Sequence, residues 1–262
     1  MTPFKIVIPA RYASSRLPGK PLLPIAGKPM IAHVCLQALK AKAAEVVVAT
    51  DDERIAQVAE QTGVKALLTS AEHSSGTERI EEVASLLDWH EDDIVVNWQG
   101  DEPLLSSELV RCLAQSLAGN DDATVATLAA PATEQEIFSP HAVKVVLDHA
   151  DYALYFSRAP IPWHRDAFTD AQPQVHTDHY WRHIGVYAYR VGLLHRYVQW
   201  HTAPLEQLES LEQLRILWHG ERIVVVTVAH APEAGVDTHE DLKRVEALLQ
   251  GEEPVATQRG AT

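Results

Sequence analysis

Apolar positions along the first half of the chain alternate between two periods. "KIVIP" (5–9) is a compact β-branched run, the signature of a buried strand, and Ile31, Val34, Cys35 and Ala38 then recur at helical spacing. "EVVVAT" (45–50) predicts the next strand. Ile55, Val58 and Ala59 predict a helix that stops near Gly63. "KALLT" (65–69) is a third strand. Ser75 opens a helix with Glu78 in the capping-box position and Ile80, Val83, Ala84 and Leu87 facing inward. "DIVVNWQGD" (93–101) is a fourth strand, and Leu109, Cys112 and Leu113 form a further helix face. This alternation predicts an α/β fold, a Rossmann-like, mostly parallel sheet with helices on both faces.

The pattern changes after residue 140. "AVKVVLD" (142–148), "YALYFS" (152–157) and "HIGVYAYR" (183–190) read as strands with little helix between them. A polar loop rich in His, Asp and Gln spans 164–182. These features predict a smaller antiparallel elaboration over about 142–200, beside the main sheet. "LEQLESLEQLRILWHG" (205–220) reads as one amphipathic helix ended by Gly220, with Leu205, Leu208, Leu211 and Leu214 along one side. "RIVVVTV" (222–228) returns as a strand and "GVDTHEDLKRVEALL" (235–249) turns into a final helix. No repeat or linker divides the chain. The expectation is a single domain over 1–250, with 251–262 a disordered tail of low apolar content.

Charge narrows the function classes. The 262 residues carry 36 acidic and 22 basic side chains, a formal net charge of −14. Such a surface repels nucleic acid and anionic lipid, so neither nucleic-acid binding nor membrane insertion is expected. An anionic ligand then needs a local cationic pocket. The two cysteines, Cys35 and Cys112, both fall on apolar helix faces and read as core residues rather than a disulfide or metal pair. No N-terminal apolar run reaches signal-peptide length, and a reducing cytoplasm is the expected compartment.

The local pocket has a candidate in "IPARYASSRLPGKPL" (8–22), which packs Arg11, Arg16 and Lys20 beside Pro9, Pro18 and Pro21 straight after the first strand. Gly19 permits a turn and close approach of the backbone to a ligand. Arginine offers a planar fork to phosphate oxygens and lysine a compact charge. In open α/β sheets ligands bind beyond the carboxyl ends of the strands, where this loop, Asp51, the 73–79 segment and Asp101 converge. The loop is not a G-x-x-x-x-G-K-[ST] phosphate loop, and G-x-G-x-x-G and G-x-S-x-G are absent as well. Asp101 closes the fourth strand and Asp237 starts the last helix. Each fits a turn or N-cap role, and the two together fit a magnesium site. "HSSGTERI" (73–80) suits either ordinary capping or a helix N-terminus that meets a base or phosphate. His176, His179 and His183 have a zinc-like spacing but no cysteine nearby, and read as loop and strand residues. Glu206, Glu209 and Glu212 read as a solvated face, with Glu212 and Gln213 an option for sugar hydroxyls.

Taken together, "IVIPARYASSRLPGKPL", "HSSGTERI", "QGDEP", "AVKVVLD", "YFSRAPIPW", "HIGVYAYR", "LEQLRILWHG" and "GVDTHEDL" resemble the 3-deoxy-manno-octulosonate (Kdo) cytidylyltransferases, from about residue 4 to residue 248 and in the family order. The opening loop is shared more loosely with other sugar nucleotidyltransferases; "YFSRAPIPW" and "LEQLRILW" are the narrower signals. The resemblance implies CTP and Kdo as substrates, Mg²⁺ as cofactor, a homodimer, and a product destined for lipopolysaccharide. It implies that Arg11, Ser14, Lys20, Ser75, Gly76, Arg79 and Gln99 hold the nucleotide. Asp101 and Asp237 would hold magnesium and, with Lys20 and Arg16, form the catalytic set. Arg158, His183, Tyr187, Glu212 and Gln213 would contact Kdo. Trp98 stands where the family motif has a smaller apolar residue. A related acidic sugar such as amino-Kdo, or an inactive sugar- or nucleotide-binding relative, are the alternatives.

Overall fold

The computed structural model describes residues 2–13, 17–169 and 177–251. The first strand, β1 (Lys5–Ala10), runs into the cationic loop, and a two-strand hairpin, β2 (Pro24–Ile25) and β3 (Lys28–Pro29), leads to α1 (Met30–Lys40). Then follow β4 (Glu45–Thr50), α2 (Glu53–Gln61), β5 (Lys65–Leu68), α3 (Gly76–Leu86), β6 (Ile94–Asn97) and α4 (Ser107–Ala118). β7 (Val125–Pro131), α5 (Glu134–Phe138), β8 (Lys144–Leu147) and β9 (Ala153–Ser157) come next. The chain ends with β10 (Trp181–Arg190), α6 (Val191–Tyr197), α7 (Pro204–Glu209), α8 (Gln213–Trp218), β11 (Ile223–Thr227) and α9 (His239–Gln250).

The main sheet has the order β11-β7-β10-β6-β1-β4-β5. β1 pairs in parallel with β4 and β6, β4 with β5, and β11 with β7. β10 alone runs against its neighbours in this order, antiparallel to both β6 and β7. Successive side chains along each strand go to opposite faces, which sorts the core into two layers. Ile6 and Ile8 pack with Ile31, Val34, Ile55 and Leu113 from α1, α2 and α4. Val7 packs on the other face with Ile80, Val83, Leu194 and Leu214 from α3, α6 and α8. The expected α/β architecture with helices on both faces is therefore present.

Five expectations need correction. The helix expected over 205–220 is two helices. Ser210 adopts a left-handed conformation (φ 51°) that ends α7, and α8 restarts three residues later. The break rotates the leucine stripe: Leu208 is 81% exposed, whereas Leu211 and Leu214 are buried. "HIGVYAYR" is not part of a side elaboration; it belongs to β10, near the middle of the main sheet, and only β8 and β9 form the antiparallel annex beside it. β7 was not expected, because "VATLAAP" is alanine-rich and carries little strand propensity; its pairing with β10 and β11 overrides that. Cys112 is exposed on α4 while Cys35 is buried, so the apolar face of α4 turns just past it. The polar loop also holds two short 3-10 turns, Ala167–Thr169 and Thr177–His179, and residues 181 and 182 already belong to β10.

Candidate active site

The carboxyl end of β1, the turn after β6 and the N-terminus of α3 enclose a cavity of about 280 Å³. Its lining includes Arg11, Lys20, Ser75, Gly76, Arg79, Gln99, Asp101 and Asp237. Every described residue expected at the nucleotide and the metal thus meets in one place. Ser14 and Arg16 lie outside the described residues, as does His176.

The cationic loop is pinned at its base. The Tyr12 amide donates to Asp51 Oδ1 at 3.0 Å, the Tyr12 ring lies 4.0 Å from the Arg54 guanidinium, and the Gly19 amide closes the loop on the Tyr12 carbonyl. Gly19 has φ 67°, and a Cβ there would stand 3.2 Å from the Tyr12 ring, so glycine is needed for the closure. Lys20 follows in a 3-10 turn over Lys20–Leu22. Its ammonium donates to Asp101 Oδ2 at 2.5 Å, to the Val236 carbonyl at 2.8 Å and to Asp237 Oδ1 at 3.1 Å.

Asp101 and Asp237, 136 positions apart, are brought together by backbone. The Val236 amide donates to the Asp101 carbonyl at 2.8 Å, and a Cβ on Gly235 would lie 2.9 Å from that same carbonyl oxygen. Only glycine allows the approach. Thr238, not Asp237, caps α9, in a capping box with Asp241. The N-cap role expected for Asp237 therefore falls to its neighbour, and Asp237 turns to Lys20. Trp98 is fully buried, and its indole N–H donates to the Glu102 carbonyl at 3.1 Å. The unusual tryptophan staples the turn that carries Asp101. Burial, with Asp101 alongside, pushes the Glu102 carboxyl up to about 8.

On α3, Ser75 is the N-cap and accepts from the Glu78 amide, but Glu78 returns its carboxylate to the amide and hydroxyl of Ser74 rather than to Ser75. The capping box expected at Ser75 is displaced by one residue. Arg79 is buried, donates to the Thr69 hydroxyl and faces Asp51 at 3.7 Å; burial pulls its pKa down. Asp51 thus links Arg79 to the base of the cationic loop. His73, also in the lining, pairs with Glu82.

The residues expected at the sugar are placed differently. Glu212 lines a second cavity of about 320 Å³ that shares Ser74 and Ser75 with the first. It accepts from the Thr77 hydroxyl at 3.1 Å, and burial pushes its carboxyl up. Tyr197 and the Arg215–Glu206 pair line the same cavity. Gln213 and Tyr187 are buried, with Tyr187 stacked on Tyr189 at 5.7 Å. His183 packs edge-on to Phe156, and its Nε2 lies 3.0 Å from the Thr127 hydroxyl. That hydroxyl also reaches the carbonyls of Ile184 and Val186, where the β10 register shifts. Burial pulls the His183 pKa down to about 3. Arg158 is brought to neither cavity: its guanidinium donates to the backbone carbonyls of Glu209, Pro140 and Ser210.

Sequence reasoning missed Gly235, the Val236 carbonyl, His73 and Thr77. "GVDT" and "HSSGTERI" pointed at the segments, but a carbonyl or a contact across the site leaves no mark in spacing. Among the described residues no group of three or more His, Cys, Asp or Glu side chains could hold a metal ion. Any metal here would take two carboxylates from the protein and its other ligands from substrate and water.

The comparisons agree with one another. A family model described as "Cytidylyltransferase" matches residues 5–223. The 3-deoxy-manno-octulosonate cytidylyltransferase of Idiomarina loihiensis is 57% identical over 247 residues, covering 94% of this chain and 98% of the relative. That of Methylococcus capsulatus is 57% identical over 253 residues, covering 96% and 98%. A solved CMP:2-keto-3-deoxy-manno-octonic acid synthetase complexed with CTP superposes with a TM-score of 0.86 at 45% identity, over 95% of this chain and 99% of that one. A cytidylyltransferase from Leptospira borgpetersenii, at 18% identity, 96% and 88% coverage and a TM-score of 0.62, shares the fold.

Proposed function

The chain belongs to the cytidylyltransferase family, among the 3-deoxy-manno-octulosonate cytidylyltransferases, and from that premise we propose that it joins CTP and Kdo to give CMP-Kdo and pyrophosphate. The observation that carries the reading at the site is the meeting of Lys20, Asp101 and Asp237 within 3.1 Å, from segments distant in sequence, at the mouth of a cavity that also holds Arg11 and Arg79.

Three cations in one cavity suit a triphosphate, in a chain whose overall charge would repel one. The Kdo anomeric hydroxyl attacks the α-phosphorus in line and pyrophosphate leaves. Such transfers depend mainly on positioning and charge neutralisation. Arg11 and Lys20 hold the phosphates, Arg79 helps to fix the nucleotide, and Arg16, from the same loop as Arg11, offsets charge on the leaving group. Ser75, Gly76 and Gln99 fix the nucleoside end beside the N-terminus of α3. Asp101 and Asp237 fit a magnesium ion because both already converge on one cation, the Lys20 ammonium. When bound there, magnesium supplies Lewis acidity that offsets phosphate charge and lowers the pKa of the attacking hydroxyl. Glu212 serves the sugar from the adjoining cavity, with Gln213, Tyr187 and His183 behind it. Arg158 serves the sugar indirectly, by holding Glu209 and Ser210, just before Glu212, through their carbonyls. The protein works as a cytoplasmic homodimer that supplies lipopolysaccharide assembly. No helix among the described residues is long and apolar enough to cross a membrane.

The test is pyrophosphate release measured over the four ribonucleoside triphosphates with Kdo and with its amino analogue, with and without Mg²⁺. CTP with Kdo and Mg²⁺ should dominate. Equal rates with all four nucleotides, or no release with Kdo, would refute the assignment.

A further inference from the structure

Lys20 has contacts that a simple phosphate ligand would not have. An ammonium has three N–H donors, and here they meet Asp101 Oδ2, Asp237 Oδ1 and the Val236 carbonyl. None is left for a phosphate. The side chain is 13% exposed, against 32% for Asp101 and 48% for Asp237, so the ammonium sits beneath the two carboxylates and they close over it. A divalent cation held by those carboxylates would stand in the space the ammonium fills, or against it as a like charge. The two cations therefore exclude each other.

We propose that Lys20 is an internal placeholder for the divalent cation and that its movement couples metal binding to nucleotide binding. The inference rests on the metal and nucleotide reading given above. Without a triphosphate, the ammonium neutralises Asp101 and Asp237 and competes with metal. With one in the cavity, the ammonium exchanges its carboxylate partners for phosphate oxygens, and the two carboxylate oxygens it held, Asp101 Oδ2 and Asp237 Oδ1, turn to the metal. The backbone supports such an exchange. Lys20 is fixed by the hydrogen bond its backbone N–H donates to the Leu17 carbonyl and by Pro21 behind it, while its stem is a flexible four-carbon chain. Arg79 cannot do the same, because it is buried between Thr69 and Asp51. By linkage, the factor by which nucleotide tightens metal equals the factor by which metal tightens nucleotide.

Two measurements test this, on the full chain as wild type, Lys20→Met, Asp101→Asn/Asp237→Asn and the triple variant. In the first, Mn²⁺ is titrated into nucleotide-free protein and followed by electron paramagnetic resonance. Wild type should bind weakly, Lys20→Met at least tenfold more tightly, and the double variant not at all. In the second, CTP is titrated calorimetrically in excess EDTA. The double variant should bind CTP at least tenfold more tightly than wild type, because its lysine is released. The triple variant should show no such gain over Lys20→Met. Mn²⁺ affinity that needs the aspartates but ignores Lys20→Met overturns the placeholder and leaves the metal reading standing. Mn²⁺ affinity that ignores the aspartates overturns both. An EDTA gain that survives in the triple variant is plain relief of repulsion and overturns the exchange. If Lys20→Met does not fold, Lys20→Gln, which keeps a donor for the Val236 carbonyl, replaces it throughout.

Discussion

The Lys20 ammonium gathers Asp101, Asp237 and the Val236 carbonyl around one positive charge. Removing it takes one cation away from both Asp101 and Asp237, and removing Asp101 strips the ammonium of its shortest partner. Lys20→Ala and Asp101→Asn should each lower pyrophosphate release by at least about 10²-fold, the usual loss when a charge-stabilising group is removed. Their circular dichroism should remain that of a folded protein; full activity in either would contradict the proposed site. His183 makes a different point. Its folded-state pKa near 3 lies below the ordinary 6.5, so between those values the unfolded chain takes up a proton that the folded protein refuses. The stability it contributes is complete above pH 6.5 and is lost as pH falls through that window. His183→Gln, which can still reach Thr127, should therefore show a shallower fall in Tm between pH 6.5 and 4 than wild type. Parallel melting curves would show that the ring is not held neutral.

At the scale of elements, the break between α7 and α8 decides which leucines matter. Leu208→Gln should change stability by less than about 0.5 kcal/mol, as for any exposed position. Leu214→Ala should cost about 2–5 kcal/mol in urea unfolding, because Leu214 is 1% exposed in the core. A single unbroken helix with one buried stripe would make both costly. The approach of the 235–237 segment to the Asp101 turn is the second decision at this scale. Gly235→Ala puts a methyl 2.9 Å from a backbone oxygen, so one of the two segments must move. The expected result is a loss of about 1–3 kcal/mol in stability and a tenfold or greater fall in kcat, since Asp237 moves with the segment. An unchanged kcat would mean that Asp237 is not needed at its observed position.

At the scale of the whole molecule, the N-terminal loop, α3, the 99–101 turn and the segment before α9 line one cavity, so a ligand there should tie them together. Saturating CTP should raise Tm, and at 100 times its Kd the gain is about 2.7 kcal/mol. ATP at the same concentration should give less; an equal shift would argue against cytidine selectivity.

Much of this arrangement was legible in the chain. The two-period apolar pattern fixed the α/β class, because strand and helix faces bury side chains at intervals set by backbone geometry alone. The cationic loop after β1 and the paired motifs around Asp101 and Asp237 marked the site, because α/β sheets place such ends together. What remained hidden depended on contacts distant in sequence. β7 is a strand because β10 and β11 flank it, and Ser210 turns left-handed where a continuous helix was the local preference. Trp98 and Gly235 are placed by the carbonyls they meet, of Glu102 and Asp101. Local propensity and periodicity are properties of neighbouring residues, and so the sequence could state them. The distance from Lys20 to two carboxylates is a property of the packed whole, and only the tertiary structure could decide it.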